Sequence, residues 1–237
     1  MSFNKLLIEN LRFEMNKDIR SGVYGMIQRE FAYNSSKLDG NALSKEQVFN
    51  LFNSVSLDML DTSYSIKDIE EINGHFAMFD EMLLTIRSQL SEEIIKKFHK
   101  LLKNGVLSNS VIGDYKNREN FIDSVETTHP DKVQDEMKSL ISLYNNREKT
   151  LESLAVFHVA YECIHPFQDG NGRTGRMILF RECLVNDITP FIIRNKNKSE
   201  YLTCLSRAQK TGDYSSLISY FKSEQKWFYI KVKELLE

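Results

Sequence analysis

Apolar residues recur at helical intervals along nearly the whole chain. Val156, Val159, Ala160 and Cys163 fall at i, i+3, i+4 and i+7, the one-sided stripe of an amphipathic helix. The same periodicity predicts helices over 2–20, 22–34, 44–60, 65–85, 91–103, 129–145, 151–164, 171–186, 198–212 and 214–236. Ser91 followed by Glu92 and Glu93, and Ser65 with acidic residues in the following turns, are caps that suit helix N-termini. After Arg176, the run Met177, Ile178, Leu179, Phe180, Cys183, Leu184 and Val185 leaves little polar face, so this helix is expected at the buried centre. Three prolines, Pro130, Pro166 and Pro190, interrupt the chain, and a mostly α fold follows.

One stretch breaks the pattern. Between Lys103 and His129, glycines, asparagines and β-branched residues accumulate, and Phe121, Ile122, Ser124, Val125 and Thr127 favour extended backbone. A small β-hairpin is expected over about 118–128. No internal repeat, low-complexity tract or flexible linker is visible, so residues 1–237 read as one unit with a weak break between Leu60 and Ser65.

Composition narrows the classes of function. The chain has an ordinary apolar share of 41% and a formal charge of −2, enough for a core and too little positive charge for nucleic acid to be the expected partner. No apolar stretch approaches membrane-spanning length and no charged start precedes an apolar run; the expectation is a cytoplasmic protein without a membrane partner. Cys163, Cys183 and Cys204 are widely spaced with no C-x-x-C, which fits free thiols. His75, His99, His129 and His158 lack zinc-ligand spacing and are expected to be packing or capping residues.

The chemistry concentrates between His165 and Arg176, His-Pro-Phe-Gln-Asp-Gly-Asn-Gly-Arg-Thr-Gly-Arg. Glycines there let backbone N–H groups converge into an anion nest at a helix start. Arg173 and Arg176, at i and i+3, can clamp separate phosphates from one helix face. Asp169 suits a Mg²⁺ bridging phosphate oxygens, and His165 suits proton removal near neutrality. Gly170, Gly172 and Gly175 also spell G-x-G-x-x-G, but a helix, not a strand, leads into them, and this excludes the dinucleotide fingerprint. From the residues alone, the site is that of a nucleotide-using transferase with a histidine base.

This stretch resembles the signature of the Fic (filamentation induced by cAMP) family, H-P-F-x-[D/E]-G-N-G-R-x-x-R, at every defined position. The resemblance implies a Fic-like helical bundle with a β-hairpin flap, and transfer of AMP from ATP to a Ser, Thr or Tyr hydroxyl of a target protein or of the chain itself. It implies His165 as the base, Asp169 holding Mg²⁺, and Phe167, Gly170, Asn171, Gly172, Arg173 and Arg176 around the nucleotide, with Arg176 on the γ-phosphate. Tyr201 stands where family members line the adenine pocket. The flap would hold the target by main-chain pairing. The resemblance divides the chain into N-terminal helices (1–60) and a catalytic core (91–221). Relatives that move a terminal phosphate carry lysine where Gly172 stands. Removal of AMP from a modified protein, or a non-catalytic nucleotide-binding or antitoxin-like role, are the alternative readings.

A second segment, 35–40, resembles the family's inhibitory element [S/T]-x-x-x-E-[G/N], with Ser35 and Asp39 at i and i+4 on one helical face. Asp39 stands where the pattern has glutamate. Its carboxylate is one methylene shorter, roughly 1.5 Å less reach, so a direct pair with Arg176 is expected to be strained, water-bridged or absent.

Overall fold

A computed structural model of the chain describes residues 1–54, 57, 63–106, 111–122 and 125–236. Helices dominate: α1 (Phe3–Asn16), α2 (Val23–Leu38), α3 (Lys45–Phe52), α4 (Ile66–Leu84), α5 (Glu92–Leu102), α6 (Pro130–Asn145), α7 (Leu151–Ile164), α8 (Asn171–Val185), α9 (Lys198–Thr211) and α10 (Ser215–Leu236). A 3-10 turn, Asn195–Asn197, precedes α9. Ser44, Ser65 and Thr150 each close a capping box, satisfying the first free N–H groups of α3, α4 and α7.

The ends differ from the periodicity in three places. α1 stops at Asn16, because the chain turns through Asp18 with φ 52°. α2 runs on to Leu38, four residues past the predicted end, and Gly40 at φ 94° follows its cap residue, Asp39. Ser35 and Ser36 are buried there, so tertiary packing overrides the low helix propensity of serine. α3 ends at Phe52 rather than near Leu60, with Ser54 at φ 59° turning the chain; most of the remainder of that predicted helix lies outside the described residues.

In the segment expected to be extended, β1 (Phe121–Ile122) pairs antiparallel with β2 (Val125–Glu126), Phe121 opposite Glu126 and Ile122 opposite Val125. Asp123 and Ser124 lie outside the described residues.

α8 is the centre of the molecule, as its apolar run predicts. It packs against α7, α5, α4, α2 and α1, and its Phe180 ring meets Phe31 of α2, Phe79 of α4 and Phe228 of α10 at centroid distances of 5.1, 5.9 and 5.6 Å. One apolar cluster runs from Leu7 to Val232, and each large side chain sealed in it contributes about 1.5–3 kcal/mol. Among the described residues no helix is long and apolar enough to cross a membrane.

Among the polar side chains in this core, the largest is Arg181, fully buried on α8. Its guanidinium pairs with Glu182 and donates to the carbonyls of Thr85 and Ser88 beyond α4, while Glu182 accepts from the Tyr144 hydroxyl at 2.9 Å. Arg181→Ala leaves a buried carboxylate and two carbonyls without their donor. The expected loss is about 3–5 kcal/mol in denaturant unfolding, and a loss below about 1 kcal/mol, the size of a surface pair, contradicts the assignment.

Candidate active site

α7 ends because His165 turns left-handed, φ 51°, with its N–H still donating to the Tyr161 carbonyl at 2.9 Å. The loop that follows is closed by Asn171, whose side chain accepts from the Phe167 N–H and donates to the Phe167 carbonyl, both at 2.7 Å. Gly170, at φ 84°, turns the chain into α8. Only glycine adopts that conformation without strain. No side chain caps the first turn of α8, so its N–H groups and helix dipole face the loop's concave side.

The β-rich segment braces this loop. Lys116 donates its N–H to the Pro166 carbonyl at 2.8 Å, and its buried ammonium reaches Asn120, Thr127 and the Ile164 carbonyl. Asn120 donates to the Phe167 carbonyl at 2.8 Å. From the other side, the His99 ring stacks on Phe167 at 3.9 Å and meets the Asp169 carbonyl through Nε2 at 3.1 Å, while its Nδ1 accepts from the Gly113 N–H.

Ion pairs gather on the open side of the loop. Arg176 donates from Nε to the Ser35 hydroxyl at 2.9 Å, and from Nη2 to the Ser35 carbonyl at 2.8 Å and Asp39 Oδ1 at 2.9 Å. Asp39 Oδ2 lies 3.0 Å from Arg173 Nε. The shorter acid therefore reaches both arginines directly, against the expectation from its length, because the extended α2 packs on α8 and delivers Asp39 as its cap. Gly172 makes the approach possible: a Cβ there would stand 2.7 Å from Arg176 Nη1 and 3.1 Å from Asp39 Oδ1.

Arg173 is held by two further carboxylates, Glu71 of α4 at 2.6 Å and Asp169 at 3.3 Å. Lys103, the cap residue of α5, joins them, with Nζ 2.7 Å from Asp169 Oδ2 and 3.0 Å from Glu71 Oε1. Burial alone would raise the Asp169 pKa, but Arg173 and Lys103 outweigh it and hold the carboxyl well below its usual range.

His165 stands across the loop, and burial, reinforced by the Lys116 charge, lowers its pKa to about 4. It is neutral at pH 7, the form that accepts a proton. Glu162, one turn earlier on α7, is a fully buried carboxyl that burial pushes up to about 7, Arg176 pulling it down and Asp39 up. Its Oε2 lies 3.9 Å from His165 Nδ1.

Ser35, Asp39, Arg173, Arg176 and Asp169 are thus joined in one network, with His165 beside it and the Gly170–Gly172 backbone between. Two residues expected around the nucleotide are buried side chains next to the site. Phe167 is completely buried and carries the loop from beneath. Tyr201 is buried behind Arg176, its hydroxyl 2.7 Å from His158 Nε2. Both aromatics are part of the core, the usual fate of an aromatic at helical spacing. The Asn171 side chain is committed to closing the loop. Glu71, Lys103, Lys116 and Glu162 carry no such expectation from the sequence, because a charged residue destined for burial looks like a solvated one until its partner is known, while His99 is the packing residue expected of it. Glu162 alone carried a signal, as an acid in the otherwise apolar second half of α7.

Asp169 suits a magnesium ion. Its carboxylate is a hard oxygen donor, 45% exposed, and among the described residues no group of three or more His, Cys, Asp or Glu forms a metal cage. A single carboxylate completed by phosphate oxygens is how Mg²⁺ is commonly held at nucleotide sites.

The model of the Fic/DOC family matches residues 89–183, the segment from the start of α5 to the end of α8 that builds the loop. Over that segment the chain is similar to Fic/DOC-family domains. It is 25% identical over 225 residues to the Caenorhabditis elegans protein named protein adenylyltransferase fic-1, covering 90% of this chain and 43% of that protein. A probable protein adenylyltransferase from Aquifex aeolicus is 33% identical over 84 residues, 34% of this chain and 25% of that protein. The chain spans less than half the length of these curated relatives. Among solved structures, a Fic domain containing signaling protein from Bacteroides thetaiotaomicron superposes with a TM-score of 0.79 at 22% identity, covering 97% of this chain and 96% of that one. Caenorhabditis elegans Fic-1 (residues 134–508) gives 0.74 at 20% identity, covering 96% and 71%. These two likenesses show that the Fic fold embraces the N-terminal helices as well.

The buried histidines make the fold acid-sensitive. Burial lowers His75 and His158 to about 3, and His99 and His165 to about 4, from an ordinary 6.5. Between those values and 6.5 the unfolded chain binds protons that the native state refuses, so stability falls with decreasing pH by up to about 1.4 kcal/mol per unit for each histidine. Glu162, raised to about 7, acts oppositely, since the native state takes its proton first; one acid offsets one histidine of the four. Denaturant unfolding at pH 7.5 and pH 5 is expected to show lower stability at pH 5, and a flat profile contradicts the neutral burial of these rings.

Proposed function

We propose that the chain is a protein adenylyltransferase, moving AMP from ATP to a Ser, Thr or Tyr hydroxyl of a target protein and of itself, and that Asp39 restrains it. The observation that carries the reading is a neutral, largely buried but still accessible histidine base facing a glycine loop whose helix presents two arginines and a carboxylate. The adenylyltransferase names of the relatives support the same reaction.

In this reading the hydroxyl oxygen attacks the α-phosphorus, the bond to the bridging oxygen of the β-phosphate breaks, and pyrophosphate leaves. His165 takes the hydroxyl proton, contributing about 10² to 10⁴ to the rate. The N–H groups opening α8, with Arg173, hold the α- and β-phosphates as negative charge builds there. Arg176 holds the γ-phosphate. Mg²⁺ at Asp169 would supply charge neutralisation on the phosphate oxygens. The β1–β2 ladder is the flap along which an extended target segment adds a strand, with affinity from main-chain hydrogen bonds and little demand on target sequence.

Asp39 occupies both arginines. A γ-phosphate and the Asp39 carboxylate compete for one guanidinium, so the wild-type chain is restrained to the extent that the acid wins. With ATP labelled at the α- or γ-position and the chain as its own acceptor, label is expected from the α-position alone, and His165→Ala is expected to abolish it. Asp39→Gly is expected to raise α-label incorporation about tenfold, the worth of one charge-assisted hydrogen bond, and Arg176→Ala in that background to lower it again. Transfer of γ-label, or transfer surviving in His165→Ala, overturns the reaction; equal rates for wild type and Asp39→Gly overturn the restraint.

A further inference from the structure

We propose that Lys103 is a resident cation of the metal subsite, set on the Asp169 carboxylate so that a divalent ion enters only with a nucleotide; the inference rests on the phosphate site described under Proposed function. Both oxygens of Asp169 are engaged. Oδ1 accepts from the Gly170 N–H at 2.7 Å and lies 3.3 Å from Arg173 Nη2, while Oδ2 takes the Lys103 ammonium at 2.7 Å. Lys103 cannot swing into solvent as a surface lysine does. Its side chain is 2% exposed, Glu71 holds the ammonium at 3.0 Å, and the backbone N–H is spent on the His99 carbonyl at 3.0 Å. Its stem runs along Gly170, where a Cβ would meet the Lys103 Cδ at 3.7 Å.

The ammonium therefore does at rest what a metal does when loaded: it neutralises Asp169 and keeps the loop pulled toward α5. A divalent ion that takes Asp169 must approach within a few ångströms of two fixed positive groups, Lys103 and Arg173. The repulsion of two such charges offsets the attraction of one carboxylate. Phosphate oxygens bring the missing negative charge, so ion and nucleotide bind as one complex and the bare ion binds weakly. Lys103 sets how weakly.

The test measures Mn²⁺, as a spectroscopic stand-in for Mg²⁺, by the electron spin resonance of the free ion in the presence of ADP, which lacks the phosphate that Asp39 would contest. Lys103→Met keeps the apolar stem and removes the charge. In the ternary complex it is expected to bind Mn²⁺ about tenfold more tightly than wild type, a fold-change well within the reach of one buried charge, whereas Lys103→Arg stays close to wild type. Should Lys103→Met fail to give a cooperative melt, Lys103→Gln, which still donates to Asp169, is expected to show the same tightening. Asp169→Asn is expected to cancel the difference between the lysine variants. Wild-type or weaker Mn²⁺ affinity in the neutral variants, with ADP bound by equilibrium dialysis, overturns the role of Lys103 alone; failure of the wild type to bind ADP overturns both this inference and the nucleotide reading.

Discussion

A guanidinium taken out of water has to be paired, and the site is organised by that requirement. Arg173 and Arg176 are 3% and 5% exposed, and neither could be held there by one partner without leaving a buried charge unmatched. Three cations, Lys103, Arg173 and Arg176, meet three carboxylates, Asp39, Glu71 and Asp169. The partners come from the end of α2, from α4, from the end of α5, from the glycine loop and from α8 itself. The network thus fastens the N-terminal helices to the phosphate loop, and anything that draws one member toward a ligand alters the balance felt by the other five.

The opposite side of the loop has different needs and uses different chemistry. His165 has to stay unprotonated while remaining reachable, and it does so because burial and the Lys116 ammonium both disfavour the imidazolium. Lys116 also ties the segment carrying β1 and β2 to the last turn of α7 through the Ile164 carbonyl and to the loop through Pro166. The base, the phosphate loop and the strand pair are therefore one mechanical unit. It is held by hydrogen bonds from the Lys116 ammonium and from neutral amides rather than by ion pairs.

The helices, the central burial of α8 and the identity of the loop were legible in the sequence, because periodicity and the closely spaced motif are local signals. What could not be read was partnership across the chain. Glu71 and Lys103 are ordinary residues on ordinary helices until α4 and α5 bring them to Arg173 and Asp169. The reach of Asp39 has the same origin: its side-chain length is a local property, whereas the packing of α2 on α8 that carries it to both arginines is not. Phe167 and Tyr201 show the converse, since a motif position indicates that a residue matters to a site without telling whether it faces the ligand or supports the frame behind it.

Glu162 follows from the same balance of charge. It is buried beside Arg176, and a lone carboxylate so placed would ordinarily ionise to pair with the guanidinium. Here Arg176 is shared with Asp39 and with the hydroxyl and carbonyl of Ser35, and the cost of burial, with the repulsion of Asp39 added, outweighs the attraction of the guanidinium. The carboxyl is accordingly raised to about 7, and its proton is the seventh participant in a network that already balances three against three. The protonation of Glu162 and the position of Asp39 are linked through one guanidinium: removing the Asp39 charge strengthens the pull of Arg176 on Glu162 and favours its ionised form, whereas a phosphate in place of Asp39 restores the competition and returns the proton. An acid on the approaching helix thereby responds to a change in the partner of an arginine whose own charge is fixed.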